Sequence, residues 1–87
     1  MNTFLLNITS PEGKIFSDEA EMLTVRGVEG DLAILAGHIP FVTTIQPCDC
    51  KVILSDGSEK IGTADGGILT VSAEQVTLLS GSFQWKK

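Results

Sequence analysis

Nine glycines and three prolines cut this 87-residue chain into short runs, and the runs are filled with β-branched side chains. Eight isoleucines, six valines and eight threonines stand against five alanines. Residues of that shape suit the pleated surface of a sheet, and short runs of them between turn formers predict an all-β sandwich or barrel. Apolar residues nowhere recur at helical spacing for longer than one turn. The nearest case, Asp18 to Leu23, runs straight into Thr24-Val25, which favours strand.

Alternation locates the strands. Phe4, Leu6 and Ile8 share one face of a first strand, and Ser10-Pro11-Glu12-Gly13 turns it. A short second strand begins at Ile15-Phe16 and is expected to break at Asp18-Glu19. The third spans Ala20 to Arg26, with Ala20, Met22 and Thr24 on one face and Leu23 and Val25 on the other. Gly27 to Asp31 forms a glycine-bracketed turn before a fully apolar strand from Leu32 to Leu35. The bend Gly37-His38-Ile39-Pro40 leads into Phe41 to Ile45, and Pro47 precedes another strand from Cys50 to Ser55. Asp56-Gly57 is the clearest hairpin signal. Gly66-Gly67 then opens a strand through Val71, and Ala73-Glu74-Gln75 turns into the run Val76 to Ser80. The expectation is a flattened two-sheet sandwich of about ten short, mainly antiparallel strands. Leu6, Ile8, Val25, Ile34, Leu69, Val71 and Leu78 should be buried.

Size and charge limit what such a body does. A 9.3 kDa chain folds to one domain with about 5,000 Å² of surface, leaving no room for a large ligand cavity. The formal charge is −5, and six of the eleven acids lie in the first 43 residues. Without a basic stripe, nucleic acid and anionic membrane surfaces are poor partners. No apolar run reaches the roughly 18 residues of a spanning helix, and Met1-Asn2-Thr3 lacks a basic leader start, so the expected setting is cytoplasmic.

Catalytic groups are scarce. His38 is the one histidine, on a glycine-flanked bend, and no serine-hydrolase, zincin or phosphate-loop motif is present. Gly62-Thr63-Ala64-Asp65-Gly66-Gly67 is glycine-rich but flanked by strands and followed by no lysine, so it reads as hairpin geometry. Cys48 and Cys50 form C-x-C, too close for the C-x₂₋₄-C spacing of structural zinc and divergent from a relaxed disulfide; reduced thiols are expected, with no metal and no cofactor. The residues describe a binding or structural module without a small-molecule substrate.

Four phrases, in order, resemble the epsilon subunit of F-type ATP synthase. They run from Ile8 to Ser17, from Gly27 to Pro40, from Asp65 to Val71 and from Val76 to Leu79, and the second, ending Gly37-His38-Ile39-Pro40, is the most specific. The resemblance covers residues 3 to about 80 and implies the family's amino-terminal ten-stranded β-sandwich over residues 1–87, with the family's carboxy-terminal helical hairpin missing. It implies a non-catalytic rotor subunit of the central stalk that joins the gamma subunit to the membrane c ring and carries torque between ion flow and ATP synthesis or hydrolysis. It would be peripheral, at the cytoplasmic face of the cell membrane. Carried over by position, Glu29, Asp31 and His38 would face the c ring. Ser10 and Thr43 would face gamma, and Phe41 and Val42 beside Thr43 would either add contact area or belong to the core. Ala36 replaces the family's usual proline, and Pro47-Cys48-Asp49-Cys50 replaces a commoner Pro-Gly phrase. A stand-alone β-sandwich that binds a peptide or small ligand is the alternative.

Overall fold

The computed structural model describes residues 3–27, 30–37 and 40–86. Among these the protein is all-β: β1 (Phe4–Ser10), β2 (Gly13–Gly27), β3 (Gly30–Leu35), β4 (Phe41–Leu54), β5 (Glu59–Val71), β6 (Gln75–Leu79) and β7 (Phe83–Trp85). The sheet runs β1-β6-β5-β4-β2-β3, and β1 also pairs with β2, so five strands close on themselves like a barrel. β1 is antiparallel to β2 and parallel to β6; β3 and β7 add to β2 and β5 from outside the ring.

Seven strands stand where the sequence predicts nine or ten, because three expected breaks are bends within long strands. Asp18-Glu19 continues β2, and both residues pair with β1. Pro47 lies inside β4, where the pairing with β2 skips from Lys51 to Ile45, so its missing N–H interrupts no ladder bond to that strand. Gly66-Gly67 lies inside β5. There the chain passes so close to β6 that a β-carbon on Gly67 would come 2.1 Å from the Leu79 carbonyl oxygen, and φ is +150°. Only glycine fits that approach.

The hydrophobic cluster fills the ring. Leu6, Ile8, Val25, Ile34, Leu69, Val71 and Leu78 are all buried, as their alternation predicts. Ala20 is a correction. It is buried along with Leu23 and Val25, because a bulge between Ala20 and Met22 shifts the inside-outside parity of β2. At Asp56-Gly57 the expected hairpin forms: Gly57 N–H donates to Leu54 O at 2.9 Å, and Asp56 Oδ1 accepts the Ser58 N–H and hydroxyl. Those bonds hold the Asp56 carboxyl below its usual range. β7 is fastened by its side chains. Trp85 stacks edge-on with Phe16 and Phe83, Lys60 Nζ lies 4.4 Å from its ring centre, and Lys86 pairs with Asp49 at 2.8 Å. No described helix is long and apolar enough to cross a membrane.

Candidate interaction face

Register decides what the outer surface of β1, β6, β5 and β4 presents, because residues opposite one another across a sheet share a face. Thr44, Ile68, Leu79 and Thr9 form one cross-strand row; Val42, Thr70, Thr77 and Asn7 form the next. Neither row holds a charged residue. Val42, Ile68 and Leu79 are 67%, 45% and 50% exposed, large values for aliphatic side chains. Asn7 is buried at the far edge, where its Oδ1 accepts the Ser17 hydroxyl at 2.7 Å. The result is a patch of aliphatics and threonines spanning three interstrand steps, about 14 Å.

The residues assigned to gamma fall at the two flanks of that patch. Ser10 ends β1, one residue past Thr9, and its Oγ accepts the Glu12 N–H at 3.3 Å. Phe41, Val42 and Thr43 begin β4 on the opposite flank. They divide as a strand must. Phe41 packs on the core, Val42 points outward, and Thr43 is half-buried with its hydroxyl on Thr44 O at 3.3 Å. Sequence reasoning missed Ile68 and Leu79 as surface groups. Each adjoins an equally apolar inward residue, Leu69 and Leu78, so polarity alone does not tell inside from outside; only the cross-strand register does.

Asp31, assigned to the ring, lies on β3 at an exposed corner, where its Oδ1 accepts from Arg26 Nε at 3.1 Å. Both side chains are solvated, so the pair is worth about 0.2–1 kcal/mol. Glu29 and His38 lie outside the described residues. A groove of about 450 Å³ brings Asp31 together with Phe41, Val42 and Thr43 and adds Gly27, Gly30 and Leu32. Ser10 lines a different groove, with the Pro11–Ile15 turn and residues Gly81 to Gln84. Nowhere among the described residues do three or more His, Cys, Asp or Glu gather as a metal cluster.

The β-sandwich domain of the ATP synthase delta/epsilon chain matches residues 3–86. The chain belongs to that family. Its similarity to the sodium-ion-specific ATP synthase epsilon chain of Acetobacterium woodii is 39% identity over 83 residues, covering 95% of this chain and 62% of that one. The delta/epsilon fold also recurs in two solved assemblies. A chain of the Euglena gracilis mitochondrial ATP synthase, from its c-ring assembly in rotational state 1, superposes with a TM-score of 0.90 at 22% identity, covering 95% of this chain and 53% of that one. A chain of the Tetrahymena thermophila mitochondrial ATP synthase central stalk and c ring gives 0.78 at 13% identity, covering 94% and 66%. At those identities the two assemblies establish the shared fold alone.

Proposed function

We propose that the protein is a non-catalytic rotor subunit of an F-type ATP synthase, joining the gamma subunit to the membrane c ring and passing torque between them. The carrying observation is the uncharged two-row patch across β1, β6, β5 and β4, whose flanks hold the residues assigned to gamma. A standard contact takes about 800 Å² from each partner. Two such contacts would use near a third of this protein's 5057 Å² surface. A body given over to two partners suits a coupling part better than a stand-alone ligand binder.

On this reading gamma covers Val42, Ile68 and Leu79, with Ser10 and Thr43 at the margins. Asp31, Glu29 and His38 meet the polar loops of the c subunits. The closed sheet is then a flattened sandwich whose two layers meet at the bends in β2, β4 and β5. The subunit sits at the cytoplasmic face of the membrane without entering it. Co-purification with the gamma subunit of the same synthase tests the assignment. The parent should bind, and Val42→Arg should release gamma while circular dichroism stays unchanged, because that side chain already faces solvent. A parent chain with no affinity for gamma, or a Val42→Arg variant that binds as the parent does, removes the assignment of this face.

A further inference from the structure

The pairing of β2 with β4 stops short of the start of β4. The two strands pair from Ala20 and Leu54 to Thr24 and Lys51, after which Gly27 alone meets Ile45. The last part of β2, Met22 to Gly27, pairs instead with β3. β5 holds the start of β4 from the other side, with Phe41 opposite Val71 and Thr44 opposite Ile68. Among the described residues, Val42, Thr43 and Thr44 therefore have a strand on one side and none on the other. Along an antiparallel strand, each residue's N–H and C=O point together, to alternate sides. One of Thr43 and Thr44 must then turn both groups away from β5. This stretch is an open edge.

Native proteins usually blunt such an edge with charge, proline or a bulge. From Phe41 to Gln46 there is no charged residue and no proline. The edge adjoins the groove of about 450 Å³, whose lining on the β2 and β3 side includes Gly27 and Gly30. A β-carbon placed on Gly30 would meet nothing within 4 Å. Bare backbone on one wall and a strand edge on the other leave room for main chain, and strand glycines often mark the close approach of another backbone. At the end of the gap, Gln46 Nε2 donates to the Gly27 carbonyl at 3.2 Å. A side chain does there what a strand would do along the rest.

We propose that this edge takes an extended segment of the gamma subunit as an added β-strand, hydrogen-bonded to β4 on the side away from β5. The proposal rests on the gamma reading given above and says how gamma is held. Val42 joins the two surfaces: its side chain stands exposed in the patch, and the residue lines the groove. The edge is thus continuous with the face proposed for gamma. Strand addition draws its strength from main-chain bonds and its selectivity from alternate side chains. The segment that fits is about four residues long, or about 13 Å. It lacks proline, because it must supply N–H groups, and its inward side chains are apolar to suit Leu32, Phe41 and Val42.

Amide exchange and gamma binding together test this mode. In the free chain, one amide of Thr43 and Thr44 should exchange quickly and the other slowly. In the gamma complex the fast amide should slow by about a hundredfold or more. Thr43→Pro or Thr44→Pro, whichever falls on the fast amide, should weaken gamma binding by about tenfold or more with circular dichroism unchanged. Valine at the same position should bind within about threefold of the parent, because the main chain and not the hydroxyl makes the bond. The exchange measurement needs no substitution, so it decides the matter even if the proline variant misfolds. Two slow amides in the free chain, a fast amide that stays fast in the complex, or a folded proline variant that binds as the parent does would each overturn strand addition. The patch itself stands or falls separately, with Val42→Arg. A parent chain that does not bind gamma removes both. If the free chain sediments as a dimer that the proline substitution dissolves, the edge belongs to a second copy and the proposal fails.

Discussion

The ring of Phe83 occupies the space that a side chain at Gly62 would need: a β-carbon built there comes 2.4 Å from the ring's Cζ. The contact fixes β7 on β5, since Gly62 pairs with Trp85 and Ala64 with Phe83. Gly62→Ala should therefore displace Phe83 and lower stability by about 1–3 kcal/mol, the range of overpacking. Phe83→Ala should cost about 3 kcal/mol through the cavity it leaves. In the double variant the clash is gone, so urea denaturation should show a loss smaller than the sum of the two.

Alkaline pH should expose Cys50. Its thiol ionises near 9.0 when unfolded and holds its proton to about 12 when folded. Between those values the unfolded chain binds fewer protons, so stability is level below pH 9 and falls as pH rises through the window, by roughly 1.4 kcal/mol per pH unit. The chain contains no tyrosine whose phenol would obscure the range. Cys50→Ala should abolish the decline attributable to this group in denaturant midpoints measured at successive pH values.

Ser80 should matter more than its size suggests. Its buried hydroxyl donates to Gly66 O at 2.7 Å and lies within 2.9 Å of Ser82 O and 3.2 Å of Asp65 Oδ1. Ser80→Ala takes the hydroxyl donor from Gly66 O, while Ser82 O and Asp65 Oδ1 keep the Asp65 and Ser82 N–H groups, and should cost about 1–3 kcal/mol. The exposed Ser58→Ala should cost clearly less in the same denaturation assay.

The ring-facing proposal is tested by charge reversal. Glu29→Lys combined with Asp31→Lys removes two acids and sets a lysine beside Arg26, yet Asp31 is solvated and its pair with Arg26 is weak. Fold and gamma binding should persist while ion flow and ATP synthesis uncouple in reconstituted vesicles, most strongly at low salt. Normal coupling at low salt would remove these carboxylates from the contact.

The inward side chains of β1 and of the last part of β5 were legible in the residues; the ends of the strands and the facing of Ala20 were not. Leu6 and Ile8, or Leu69 and Val71, announce burial by spacing alone. The continuity of β2 through Asp18-Glu19 is invisible locally, because it depends on pairing with β1, far along the chain from the partners of Leu23 and Val25. Pro47 misled for the same reason: a proline ends a central strand unless a gap in the neighbouring ladder receives it. Thr43 was assigned to gamma through resemblance, and it leaves β4 on the other side from Val42 and Thr44. Val42, Ile68 and Leu79 became a surface only when three registers brought them together.

The double pairing of β1 has a mechanical consequence. A first strand commonly frays, because one side of it is open. Here Leu5 to Thr9 are gripped from both sides, by β2 and by β6. Sliding any strand of the ring by one residue would turn its inward side chains to water, so shear is blocked as well as peeling. A push on one side of such a body is felt at the other as rotation of the whole, the behaviour of a gear tooth rather than a spring. The amides of β1 should accordingly exchange with solvent as slowly as those in the middle of β5.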